Sequence, residues 1–128
     1  MASVLSRAHR AARNQATIDC ADAGPGPSVV KLYSEAGGTL LGQRTLAKPC
    51  GTITADGRIQ LLSAATDDLV VVSGTPTWGE WCDGAGIPIW GADVTDEAGP
   101  GPFKLEGTGT MVIYEGGVVR LSSPALLG

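Results

Sequence analysis

Nineteen glycines and eight prolines are spread without a period through the 128 residues, about a fifth of the chain. Turn residues at that density interrupt any regular element after a few residues, which favours short strands joined by tight turns. A coiled coil or a long helical bundle is excluded on this ground. A disordered acidic chain is excluded too, because 43% of residues are hydrophobic and only 17% are charged. A domain of this length buries roughly two-thirds of its chain surface, so one core suffices.

The one helical segment expected is residues 3–21, Ala-rich, with Ser3 placed to cap it. Val4, Ala8, Ala11 and Ile18 follow a 3.6-residue period, and Arg7, Arg10 and Arg13 form a second stripe. Gly24-Pro25-Gly26-Pro27 ends it, since proline cannot continue a helix and glycine permits a sharp turn. Strands are expected at 28–34, 39–46, 51–55, 58–63, 68–73, 76–82, 87–94, 103–106, 110–115 and 118–123. Two hairpins can be registered. A three-residue Ala55-Asp56-Gly57 loop, with Gly57 in the left-handed region, sets Ile53 opposite Ile59 and Thr52 opposite Gln60. A two-residue loop at Gly116-Gly117 sets Tyr114 opposite Val119 and Val112 opposite Leu121. The motif Ala23-Gly-Pro-Gly-Pro27 returns as Ala98-Gly-Pro-Gly-Pro102, which reads as two rigid corners. The expected fold is all-β: a β-sandwich or jelly roll of about eight to ten short antiparallel strands. An N-terminal helical arm (1–23) precedes this β domain (24–128).

Charge divides along the same line. Residues 1–18 carry +3 and the remainder −7. An acidic body repels nucleic acid, and three arginines do not make a nucleic-acid patch. The longest apolar run, Leu69-Val70-Val71-Val72, is far short of a membrane span, and no apolar segment follows the N-terminal arginines as a secretory signal requires. Neither nucleic acid nor membrane is an expected partner. The arm is expected to attach to a neighbouring subunit, with Val4, Leu5 and Ile18 supplying apolar contact and Arg7, Arg10 and Arg13 pairing with carboxylates.

Catalytic arrangements are scarce. The single histidine, His9, lies on the Arg-rich helix, so a nucleophile in the body has no imidazole base. No phosphate-binding loop or G-x-S-x-G motif occurs. Asp67-Asp68 and the Asp93, Asp96 and Glu97 group resemble solvated turn acids more than a glycosidase pair. Cys20, Cys50 and Cys82 are odd in number and lack a C-x-x-C pair, which gives neither a disulfide framework nor a zinc site. No enzyme activity, cofactor or metal is expected. Trp78, Trp81 and Trp90 have two readings. One is core filling together with a protein interface, and the other is a glycan-binding module. On a regular strand Trp78 and Trp81 point to opposite faces, so these two do not share a platform.

Several stretches taken in order resemble a family of small virion structural proteins of tailed bacteriophages. They are Thr17-Ile18-Asp19 through Ala23-Gly24, Lys31-Leu32-Tyr33, and Gly38-Thr39-Leu40-Leu41 running to Thr45-Leu46-Ala47-Lys48-Pro49. Thr52-Ile53-Thr54-Ala55 follows, then Thr77-Trp78 leading through Asp83-Gly84-x-Gly86 to Gly91-Ala92-Asp93-Val94, and Gly116-Gly117-Val118-Val119. The resemblance implies a homo-oligomeric, non-enzymatic capsid decoration or cement protein. It would be made in the host cytoplasm and placed on the virion surface, with the major capsid protein as partner. A tail or head–tail junction component is the alternative within the class.

Overall fold

The computed structural model describes residues 6–65, 68–99, 101–105, 112–121 and 126–127. The chain is β-rich, with one helix and a curled sheet of mixed direction. Helix α1 (Arg7–Asp22) is followed by β1 (Val29–Tyr33), β2 (Leu40–Ile53), β3 (Ile59–Ser63), β4 (Asp68–Leu69) and β5 (Trp78–Cys82). Strands β6 (Pro88–Thr95), β7 (Phe103–Lys104), β8 (Val118–Val119) and β9 (Leu126–Leu127) complete the described elements. The main sheet runs β7-β6-β5-β1-β2-β3-β9, and β4 and β8 form a separate two-stranded ribbon. Neighbours are antiparallel except β6 and β7, which are parallel.

The two strands expected at 39–46 and 51–55 are one, β2. Its first half pairs with β1 (Val29↔Thr45 to Leu32↔Gly42) and its second half with β3. Between Leu46 and Gly51 the register with β3 shifts, and this interval contains the cis Lys48–Pro49 bond. A long strand with an irregularity at its middle bends the sheet on itself. The core lies inside that bend. Val30, Leu32, Trp81, Val94 and Phe103 from one half meet Cys50, Ile59, Leu61 and Leu127 from the other.

The first hairpin has the expected register, Thr52↔Gln60 and Ile53↔Ile59, and Gly57 sits at φ +81°. The second hairpin does not form. Gly116 turns at φ +84° and the Gly117 N–H donates to the Tyr114 carbonyl, but Val119 and Val118 then pair with Asp68 and Leu69. Ile113 bridges to Gly74, and Leu121 to Leu105. The reason is packing: Val119 reaches across Gly42 into the core, whereas Tyr114 stays in solvent. The strand expected at 110–115 lies partly outside the described residues.

The helix is capped by Ser6, whose hydroxyl accepts from the His9 N–H at 3.2 Å. Ser3, expected as the cap, and Val4 and Leu5 lie outside the described residues. Residues 7–22 of the expected arm are docked on the sheet. Ile18 and Ala21 belong to the core, and the buried Asn14 donates its amide to the Gly57 carbonyl at 2.7 Å. The docked face is Asn14, Ile18 and Ala21 with Ala11 half-buried, whereas Ala8 of the expected stripe is exposed, and the helix comes close to the β2–β3 turn. A Cβ at Gly57 would stand 2.7 Å from the Arg7 carbonyl oxygen and 3.1 Å from the Ala11 nitrogen. Past the helix, the Gly-Pro-Gly-Pro corner touches the β5–β6 turn backbone to backbone: a Cβ at Gly24 would lie 2.8 Å from Gly84.

Gly57→Val therefore combines left-handed backbone strain, about 1–2 kcal/mol, with a collision against the helix. A lower denaturant midpoint is expected, by at least that free energy. An unchanged midpoint would contradict the helix docking.

Candidate interaction surface

Six large apolar side chains are gathered on one rim of the molecule. The Leu69↔Val118 pair of the β4–β8 ribbon places two of them side by side. Val70, between Leu69 and Val71, points into the core at 2% exposure, so Leu69 (58%) and Val71 (55%) face outward. The chain then leaves strand geometry. The N–H groups of both Val71 and Val72 donate to the Leu41 carbonyl, at 2.9 and 3.2 Å, which turns Val72 outward as well and brings Leu40 near. Tyr114 (68%) sits at the start of the adjoining turn, held by the Gly116 N–H on the Val70 carbonyl and the Glu115 N–H on Ser73 Oγ. Exposed apolar side chains grouped along one edge are a feature that interaction surfaces share.

A polar clasp anchors the rim. Asp68 accepts from the Thr45 N–H (2.6 Å), the Thr45 hydroxyl (2.8 Å) and the Arg44 guanidinium (3.0 Å). Arg44 also donates to the Ala64 carbonyl at 2.7 Å. Burial alone would raise the Asp68 carboxyl, but the amide and hydroxyl of Thr45 and the charge of Arg44 together outweigh it and hold it below its ordinary value. The acid expected to be a solvated turn residue is the anchor of the ribbon.

Of the residues anticipated as interface, Arg7 and Arg13 are exposed on the helix, and Arg10 donates to the Asp56 carbonyl at 3.1 Å. Ile18 and Trp81 are 2% and 0% exposed, held in the chain's own core. Trp81 packs against Trp90 with ring centres 6.5 Å apart, and Trp90 stays half-buried at the core's margin. Trp78 is half-exposed on the opposite face of the sheet, as the spacing from Trp81 requires. The rim itself was missed by sequence reasoning. Its signal was the run Leu69 to Val72, where an unbroken apolar stretch exceeds what one buried strand face can hold.

The cysteines are free thiols, Cys20 exposed and Cys50 and Cys82 buried. Burial, with a smaller contribution from Asp22, pushes the Cys50 thiol up to about 12, which keeps it protonated and unreactive at neutral pH. Burial also raises Cys82. Among the described residues, no group of three or more His, Cys, Asp or Glu side chains is arranged to hold a metal ion, and no helix is long and apolar enough to cross a membrane. Comparison with protein-family models, curated proteins and solved structures returns no match.

The clasp gives a pH signature. A depressed carboxyl stabilises fully above its unfolded value, near 3.8, and loses that contribution as pH falls through the lower folded value. Asp68→Asn is expected to cost about 1–3 kcal/mol at pH 7. In urea titrations the gap between wild type and variant should close below pH 4. A gap that persists there would show that charge is not what Asp68 supplies.

Proposed function

We propose that the chain is a virion structural protein of a tailed bacteriophage, decorating and cementing the capsid by seating the apolar rim on the major capsid protein. The observation that carries this reading is the rim itself: Leu40, Leu69, Val71, Val72, Tyr114 and Val118 exposed together on a surface pinned by the Asp68 clasp. The sequence resemblance to small virion proteins supplies the class of partner. A cement protein needs apolar contact area on a rigid body, and many copies on one shell gain by avidity, so each contact can be weak. Arg7 and Arg13 on the exposed side of the helix would add charge pairing with a neighbouring copy or the shell. The acidic body keeps unassembled copies apart in the host cytoplasm and disfavours nucleic acid as partner.

We read the finer architecture as sandwich-like. The β7-β6-β5-β1 half of the sheet and the β3-β9 half face each other across the core, with β2 spanning both. A tail or head–tail junction component is the second reading, and copy number separates the two. A shell component is present across the whole lattice, a junction component only as a small ring.

Adding purified protein to particles depleted of it tests the proposal. Wild type should bind at shell-wide copy number, and Leu69→Asp or Tyr114→Asp should lower occupancy at least about tenfold, as loss of a central apolar anchor does. Full occupancy by both variants would sink the assignment of the rim.

A further inference from the structure

The outward face of β1, β5 and β6 carries a second constellation, which meets the rim where Tyr33 stands opposite Leu40. Tyr33 stands directly opposite Trp78, and Trp78 opposite Asp93. One row along, Gln43, Lys31, Glu80 and Gly91 lie side by side across four strands. All these side chains share one face, because facing residues on antiparallel neighbours point the same way. The Trp78 indole lies over Gly91: a Cβ there would stand 2.5 Å from the ring. Glycine at that point is what lets the ring lie down on the sheet. Glu80 also acts on Tyr33: burial first, then the Glu80 charge, raises the Tyr33 phenol. Glu80 thus lies near Tyr33, between Lys31 and the Gly91 that carries the Trp78 ring.

These groups do little for the fold. Among the described residues, the Trp78 indole N–H, the Tyr33 hydroxyl and the side-chain ends of Lys31, Gln43, Glu80 and Asp93 make neither side-chain hydrogen bonds nor ion pairs, although most are only partly exposed. A face of aromatic rings interleaved with unspent donors and acceptors matches one ligand chemistry closely. A pyranose ring presents C–H groups on its faces and hydroxyls around its edge. Indole and phenol rings take the first, and carboxylate, amide and ammonium groups take the second. Tyr33 is on β1, and the Trp78 ring is carried over β6, so the aromatic positions are about two strand spacings apart, roughly 10 Å. That separation suits successive units of a chain rather than one monosaccharide. Two carboxylates against one ammonium, on an acidic body, disfavour sulfated or acidic sugars.

We propose that the Tyr33–Trp78–Glu80 face of the sheet binds a neutral oligosaccharide, with the aromatic rings under the sugar faces and Glu80, Lys31 and Gln43 on the hydroxyls. The inference does not rest on the proposed capsid role, and its test does not read particle attachment.

Intrinsic tryptophan fluorescence and calorimetry on the full chain, with cellohexaose, maltohexaose and chitohexaose as probes, provide the test. Saturable binding of at least one probe is expected, with a heparin hexasaccharide giving none. Trp78→Ala should weaken binding about tenfold or more. Tyr33→Ala and Glu80→Gln should weaken it less, Trp78→Phe should restore part of it, and Leu69→Asp should leave it unchanged. If Trp78→Ala does not fold, Tyr33→Ala and Glu80→Gln decide. Absence of saturable binding to all three neutral probes would overturn the proposal. Unaltered affinity in the folded face variants, or preferential binding of heparin, would do so equally.

Discussion

The whole arrangement hangs on one strand serving two neighbourhoods. Strand β2 offers its first half to β1 and its second half to β3, and between Leu46 and Gly51 it advances five residues while its partner advances two. The surplus cannot stay in a flat ladder, so the sheet turns there and its two halves close on a common core. Close backbone contact depends on small residues at that point: a Cβ at Gly51 would stand 2.8 Å from the Gln60 carbonyl oxygen. The helix is fastened to the same strand, since the Asp22 carboxylate accepts from the Cys50 N–H at 3.2 Å. Bend, core and helix position follow from a single interrupted strand.

Around this spine, the loops are fixed by polar atoms more than by apolar ones. In the β5–β6 turn, Asp83 accepts from the N–H groups of both Ala85 and Ile87 at 2.9 Å. The second Gly-Pro-Gly-Pro corner is held by Lys104, which donates to the carbonyls of Gly99 and Gly101. Asp68 does the same for the ribbon. Each of these side chains satisfies backbone groups that a short, irregular connection would otherwise leave unpaired. This lets a chain with so many turns present defined surfaces.

Local pattern made some of this legible. The Gly57 hairpin, the Gly-Pro corners, the helix and the opposition of Trp78 to Trp81 follow from periodicity and turn chemistry, which act within a few residues. What escaped was non-local. The Gly116 turn was visible, but Val119 pairs with Asp68, fifty-one residues away, because the core over Gly42 needed filling. Ser6 caps the helix, and Asn14 ties the helix to the β2–β3 turn, a contact that only the folded chain reveals. The rim was hidden because a run of four apolar residues reads as one strand, when only its first residue belongs to one. The Tyr33–Trp78 pairing required knowing that β1 neighbours β5, a crossover that no local signal announces.

The distribution of thiols has a practical consequence. Cys20 is open to solvent on the helix, whereas Cys50 and Cys82 are sealed in the interior. An alkylating reagent meets one sulfur in the folded chain and three once it opens. The count of labelled sites, read by mass, therefore distinguishes intact from opened molecules one by one. It also makes the helix a natural place for a fluorophore or heavy atom with no mutation at all.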